Sequence, residues 1–255
     1  MWGRDELEIA TAMDEDSPKD QIRNEVWDTL QAGGFARFPF PPHGRIPNFD
    51  GASKAAASVI ELPLWEEIDV LKSNPDAPQR PLRQLAIEDG KVVIMAEPRL
   101  RSEQPFIRID PSVVDEPSEA ATIGGADTYG EPVTVSELPR VDAIVAGSVA
   151  VDKAGRRIGK GEGYSDLEFA LLLEYGRIDG EVPVVTTVHE CQVRGDDLPT
   201  ERHDVPVDHI VTPERAISTN DRPSRPTGID WNLIDENRMA EIPALKALGR
   251  GAGST

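Results

Sequence analysis

The sequence predicts an α/β fold: a mostly parallel sheet covered on both faces by helices, in three layers. Two observations carry this. Short apolar runs alternate with helical patterns through most of the chain. Two of those runs, KVVIMAEPRL at 91–100 and VDAIVAGSVAVD at 141–152, are apolar almost throughout instead of alternating, as expected of strands covered on both faces. At 255 residues the chain can bury roughly 70% of the surface its unfolded form exposes, so folding needs no disulfide or metal.

The elements follow in order. Residues 1–17 are acidic with little apolar content and are expected to be a mobile lead-in. A first helix starts near Ser17, with Ile22, Val26 and Leu30 four residues apart and Trp27 alongside. Ser17 can cap it, Pro18 suits its first position and Gly33 closes it. The proline-rich stretch FARFPFPPHGRIPNFDGA, 35–52, reads as an irregular loop, and GASKAAASVIEL, 51–62, as a second helix. A strand is expected at 68–73, a turn and helix at 74–90, and a strand at 91–100. Residues 111–139 are turn-rich and acidic. The strand region 141–152 leads through a glycine-rich loop into a broadly apolar helix, SDLEFALLLEYG, at 165–176. Short strands are expected at 182–188 and 208–213, and one weak helix at 236–248. The expected organisation is therefore a lead-in at 1–17, one α/β domain at 18–217 and a C-terminal extension at 218–255.

The charge balance bounds the partners. With 46 acidic against 27 basic residues the formal charge is −19, which repels phosphate backbones and argues against general nucleic-acid binding. Only 7 of the basic residues are lysine. An acidic, lysine-poor chain with few large apolar residues predicts salt adaptation, because molar salt shortens the Debye length to about 3 Å and screens self-repulsion. The one cysteine, Cys191, excludes an intrachain disulfide and fits a reducing cytoplasm. The first residues do not read as a signal peptide, and no stretch approaches the ~20 apolar residues that span a bilayer. A soluble, cytoplasmic monomer or weak homodimer, likewise halophilic, is the expectation.

The chemistry concentrates in GRRIGKGEGYSD, 155–166. It is not a Walker A loop, which needs G-x-x-x-x-G-K-[ST], and its Gly159, Gly161 and Gly163 give G-x-G-x-G, not the dinucleotide fingerprint. Glycine at alternate positions still lets backbone N–H groups approach an anion. Ser165 and Glu168 fit a capping box, so a helix beginning at about Asp166 adds its positive N-terminal end. Arg156, Arg157 and Lys160 add full charges. Asp166 conflicts with a phosphate unless a divalent cation such as Mg²⁺ bridges them. From spacing alone two readings stay open: a phosphate cradle, or a glycine-rich turn with Asp166 on the helix dipole.

Other constellations are weaker. His189, Cys191, His203 and His209 lack the tight paired spacing of a zinc site, and a strand-end histidine beside a buried cysteine is the plainer reading. Arg80, Arg83, Arg99 and Arg101 suggest a cationic rim suited to an anionic substrate, or pairing with local acids. Trp27 and Trp65 read as packing.

Residues 147–217 resemble the C-terminal half of the 5-formyltetrahydrofolate cyclo-ligase family, which carries D-x-x-G-x-R-L-G-x-G-x-G-Y-Y-D and a later D-V-x-V-D. Here these read DKAGRRIGKGEGYSD and DVPVD. The likeness extends upstream through FPFPPHGRIPNFDGA, SNPDAPQRPLR and VVIMAEPRLR and is strongest to the methenyltetrahydrofolate synthetase domain-containing branch. No aromatic RNP pattern follows residue 217, so that branch's RNA-recognition domain is not expected. The resemblance implies a Rossmann-like sheet and an ATP- and Mg²⁺-dependent closure of 5-formyltetrahydrofolate to 5,10-methenyltetrahydrofolate, through phosphorylation of the formyl oxygen. It implies ATP contacts at Lys19, Arg23, Arg157, Gly159, Lys160, Gly161, Gly163, Tyr164 and Ser165, with Arg157, Lys160 and Tyr164 catalytic. Asp166 and Asp204 match its metal-binding aspartates. Candidates for the folate are Phe49, Lys91, Glu97 and Arg99. The sequence departs from the family at Ser165 for its second tyrosine, at Gly147-Ser148 for its P-G, and in SNPDAPQ, where the folate-binding glutamate of E-x-x-T finds no equivalent. Those departures leave two other functions to weigh: ATP-dependent activation of a different carbonyl or amide substrate, and a non-catalytic nucleotide- or folate-binding regulator.

Overall fold

The computed structural model describes residues 17–219 and 221–251; the expected lead-in lies outside the described residues except for Ser17. The strands are β1 (Ala36–Arg37), β2 (Asn48–Phe49), β3 (Val70–Ser73), β4 (Val92–Ala96), β5 (Phe106–Ile109), β6 (Glu131–Val133) and β7 (Ala143–Val145). They continue with β8 (Ala150–Asp152), β9 (Arg157–Ile158), β10 (Val184–Thr187), β11 (Val193–Arg194), β12 (His209–Val211) and β13 (Ala216–Ser218). The helices are α1 (Pro18–Ala32), α2 (Ala52–Ile60), α3 (Arg80–Glu88), α4 (Pro117–Ala120), α5 (Ile123–Tyr129), α6 (Tyr164–Glu174), α7 (Glu236–Glu241) and α8 (Pro243–Gly251).

Eight strands form one sheet in the order β13-β12-β10-β7-β3-β4-β5-β6. The central five run parallel, and β13, β5 and β6 add antiparallel edges. Alternation along the strands feeds two cores. Val93, Met95, Val145 and Val185 pack with Val59 of α2 and Leu82 and Ile87 of α3. Ile94, Ala96, Ile144 and Val184 face the other way, onto Leu171 and Leu172 of α6 and Leu245 of α8. These are the three layers that the apolar runs predict.

Helix α1 follows its local signals: Ser17 Oγ accepts from the Asp20 N–H at 3.2 Å, Pro18 opens the first turn, and Val26, Trp27 and Leu30 form its buried face. That face packs on Phe49 and on Val149, Ala150 and Ile158, so α1 covers a small second sheet ordered β11-β8-β9.

Four expectations are corrected. The run 141–152 is two strands in two sheets: β7 belongs to the large one, and the chain leaves it at Gly147-Ser148 to pair β8 with β9 and β11. Ser165 and Glu168 do not cap α6. Gly163, in the left-handed conformation (φ 69°), makes the turn; Ser165 Oγ donates to Asn74 Oδ1 at 3.3 Å, and Glu168 turns inward. The stretch 111–139 holds α4, α5 and β6, and the weak C-terminal helix is two helices separated at Ile242-Pro243, since proline has no N–H to continue α7. Among the described residues no helix is long and apolar enough to cross a membrane.

Glu168 reaches the centre of the sheet, where Lys72 of β3 donates to its carboxylate. Lys72 is 1% exposed and Glu168 4% exposed, so both charges are out of water and each depends on the other. Lys72→Met should therefore lower stability by about 3–5 kcal/mol by urea denaturation, and adding Glu168→Leu should recover most of the loss.

Candidate functional site

A cleft of about 590 Å³ opens beyond the carboxyl ends of β3, β4 and β7, where ligands of open α/β sheets bind. Each wall comes from a chain segment leaving the sheet or its cover. β3 delivers Asn74 and Asp76, β4 delivers Glu97 and Arg99, and β7 ends at Gly147. The N-terminal turns of α1 supply Lys19 and Arg23, the glycine-rich loop supplies 157–166, and the segment before β12 supplies Glu201, His203 and Asp204.

The loop is shaped by its glycines. Gly161 (φ 104°) and Gly163 (φ 69°) both occupy conformations that other residues rarely adopt, and a Cβ on Gly161 would lie 3.3 Å from the Arg23 guanidinium carbon. Arg23 Nε donates to the Gly159 carbonyl at 2.7 Å. Lys160 pairs with Glu162 at 2.7 Å and stays partly exposed at the rim. Arg157 is turned under the loop: it donates to the Gly147 carbonyl at 2.9 Å and to Asp166 Oδ1 at 2.6 Å. Asp166 Oδ1 also accepts from the Val205 N–H at 3.0 Å.

Four residues earlier on the Arg23 face of α1, Lys19 donates to Asp204 Oδ2 at 2.6 Å and to Glu201 Oε2 at 2.8 Å. Burial disfavours its ammonium, but the bonds to Asp204 and Glu201 outweigh that and raise its pKa; the same bond holds Glu201 below the usual carboxylate range. Donor atoms of Glu201, His203 and Asp204 lie within 4.8 Å of one another. Hard carboxylate oxygens of this kind suit Mg²⁺, and a cationic group, the Lys19 ammonium, already sits against them.

Another part of the lining is acidic. Burial raises the Asp76 carboxyl above its usual range, against the pull of Lys160. Glu97 Oε2 is buried without a hydrogen-bond partner, and Glu168 looks up from the floor. Arg99 stands beside Glu97 with its backbone in the left-handed region (φ 63°), where a non-glycine residue is strained.

Of the residues singled out by sequence, the structure brings Lys19, Arg23, Arg157, Gly159, Lys160, Gly161, Gly163, Tyr164, Ser165, Asp166, Glu97, Arg99 and Asp204 to the one cleft. Phe49 and Lys91 do not line it. Phe49 is 2% exposed, in the core beside the His189 ring. Lys91 precedes β4, at the opposite end of the strand from Glu97, and donates to the carbonyls of Trp65 and Ile68. The arginine rim is also dispersed. Arg83 is 1% exposed and spends its fork on the carbonyls of Asn74, Pro75, Asp76 and Ala121, so it props the β3 turn from behind. Among the described residues, His189, Cys191 and His209 join no metal-type cluster, and burial pushes the Cys191 thiol up to about 11. Sequence reasoning missed Asp76 and Glu201 and set His203 aside. Asp76 carried a signal: an acid placed just past the carboxyl end of a parallel strand.

A family model described as the 5-formyltetrahydrofolate cyclo-ligase family matches residues 15–213. The chain belongs to that family. It is 42% identical over 236 residues to a methenyltetrahydrofolate synthase domain-containing protein of Mus musculus, covering 90% of this chain and 63% of that one. The Homo sapiens protein of the same name is 39% identical, over 90% of this chain and 61% of its own length. The chain thus spans less than two thirds of these curated relatives. A structure of 5,10-methenyltetrahydrofolate synthetase from Aquifex aeolicus matches with a TM-score of 0.51 and 22% identity, over 81% of this chain and 95% of that one, which shows a shared cyclo-ligase fold.

Gly161→Ala should lower stability by about 1–2 kcal/mol, because it meets both the positive φ and Arg23. Gly195→Ala, with nothing within 4 Å of the added Cβ, should fall within about 0.5 kcal/mol of the parent in the same denaturant titration.

Proposed function

We propose that this chain closes the ring of 5-formyltetrahydrofolate to 5,10-methenyltetrahydrofolate at the expense of ATP, with Mg²⁺ held by Asp166 and Asp204. The observation that carries the proposal is the polarity of the cleft. Cations and the glycine-rich loop line one part of it, and the carboxyls of Asp76 and Glu97, the latter with Oε2 unpaired, line another.

Phosphoryl transfer asks a protein mainly to position its reactants and neutralise charge. Lys19, Arg23 and Lys160 offer three cations around the backbone of 159–163, and this is where the polyphosphate belongs. Bound Mg²⁺ would neutralise phosphate charge beside Asp166 and Asp204. Both aspartates already hold a cationic partner, Arg157 and Lys19. Arg157 is held by three groups, and its part is to fix Asp166 and the loop; Lys160, paired with Glu162 at the rim, is the cation for the transferring group.

The folate takes the acidic wall. Its ring presents adjacent N–H donors that match a carboxylate, and Glu97 Oε2 and Asp76 are the acceptors in reach of the cleft. Arg99 suits the glutamate tail of the substrate. The γ-phosphoryl group passes to the formyl oxygen, the second folate nitrogen attacks the activated carbon, and phosphate leaves with that oxygen as the ring closes. The setting in this proposal is a salt-rich cytoplasm, with the protein a monomer or weak homodimer.

The methenyl chromophore reads the reaction directly. At high KCl with Mg-ATP and 5-formyltetrahydrofolate the parent should produce it, and Asp166→Asn and Asp204→Asn should each slow it at least about 100-fold. Absorbance that fails to rise with the parent, or turnover unchanged in both variants at saturating Mg²⁺, would overturn the reading.

A further inference from the structure

The matched family region ends at residue 213, and the chain beyond it returns to the glycine-rich loop that lines the cleft. Residues 221–251 are docked on the sheet: Ile242 and Leu245 are fully buried, and the Ile229 N–H donates to Glu174 of α6 at 3.1 Å. From that base three side chains reach three separate segments that neighbour the cleft. Asp230 pairs with Arg202 at 2.6 Å, beside His203 and Asp204. Glu241 of α7 pairs with Arg101 at 3.4 Å, next to the strained turn at Arg99. Arg238 of α7 goes to the glycine-rich loop itself. Its Nη2 donates to the Glu162 carbonyl at 2.7 Å, and its guanidinium lies 4.8 Å from the centre of the Tyr164 ring. It is also the group a Cβ on Gly163 would meet first, at 3.6 Å.

We propose that Arg238 is a positioning residue that fixes segment 161–164 in its ligand-ready form, and through it sets the affinity for a nucleoside polyphosphate. The need follows from the loop. Glu162 sits between two glycines of positive φ, so the free segment has many conformers to choose among. A charge-assisted bond to its carbonyl selects one of them. Because the Glu162 side chain pairs with Lys160, fixing that backbone also sets where the Lys160 ammonium stands. Arginine suits the place since a planar guanidinium can donate in its plane while its face covers the tyrosine; an ammonium is a point charge and lacks such a face. The identity of the ligand rests on the proposed function; the fixing of the loop does not.

The test uses the full chain with Arg238→Ala and Arg238→Lys. Hydrogen exchange followed by mass spectrometry should show the peptide spanning 159–165 opening roughly tenfold faster in the alanine variant, with β7 and β10 peptides unchanged. Titration with Mg-ADP should give a Kd raised roughly tenfold, and with turnover the KM for ATP should rise similarly while kcat stays within about twofold. The lysine variant should recover only part of each. Unchanged exchange at 159–165, full recovery with lysine, or faster exchange that spreads into β7 and β10 would each overturn the proposal. A parent without methenyl product would sink the proposed function alone, since loop exchange is read without turnover.

Discussion

One guanidinium joins the parts on which the site depends. Arg157 is nearly buried and ties the end of β7 at Gly147, the start of α6 at Asp166 and the acidic segment at Val205. A buried, charged donor left without partners costs far more than the bonds themselves contribute, so the three pieces are held to one geometry. The glycine-rich loop can then be permissive in its φ values and still present a defined face, because its two ends are fixed. Lys72 and Glu168 repeat the device one layer down, joining the sheet to the same helix.

The break at Gly147-Ser148 is what makes room for that arrangement. Had 141–152 continued as one strand, it would have run across the space the cleft occupies. Instead β8 turns into the small sheet that α1 covers, which brings Lys19 and Arg23 from the beginning of the described chain to the loop. The cationic wall is thus a consequence of where one strand stops.

Local signals were legible wherever one element decides its own form. Ser17-Pro18 and the four-residue spacing defined α1, and the apolar runs at 91–100 and 182–188 defined central strands. Sequence failed where partners decide. Ser165 and Glu168 have the spacing of a capping box, but Asn74 and Lys72 claim them. Lys91 and Glu97 share a strand's neighbourhood in sequence, yet lie at its opposite ends, and only one end faces the cleft. Arg83 reads as a surface cation because nothing in its own segment announces the four carbonyls waiting inside. The cationic half of the site was visible because its loop is continuous in sequence. The acidic half was visible only in part, because Asp76 and Glu97 meet across strands.

The walls of the cleft come from eight stretches scattered between residues 17 and 204. Lys19 and Asp204, which bond to each other there, lie 185 residues apart, and closing such long loops is slow relative to forming local helices. A nascent chain carries Lys19 long before the aspartate at 204 exists to receive it, so this wall cannot close until nearly the whole domain has been made.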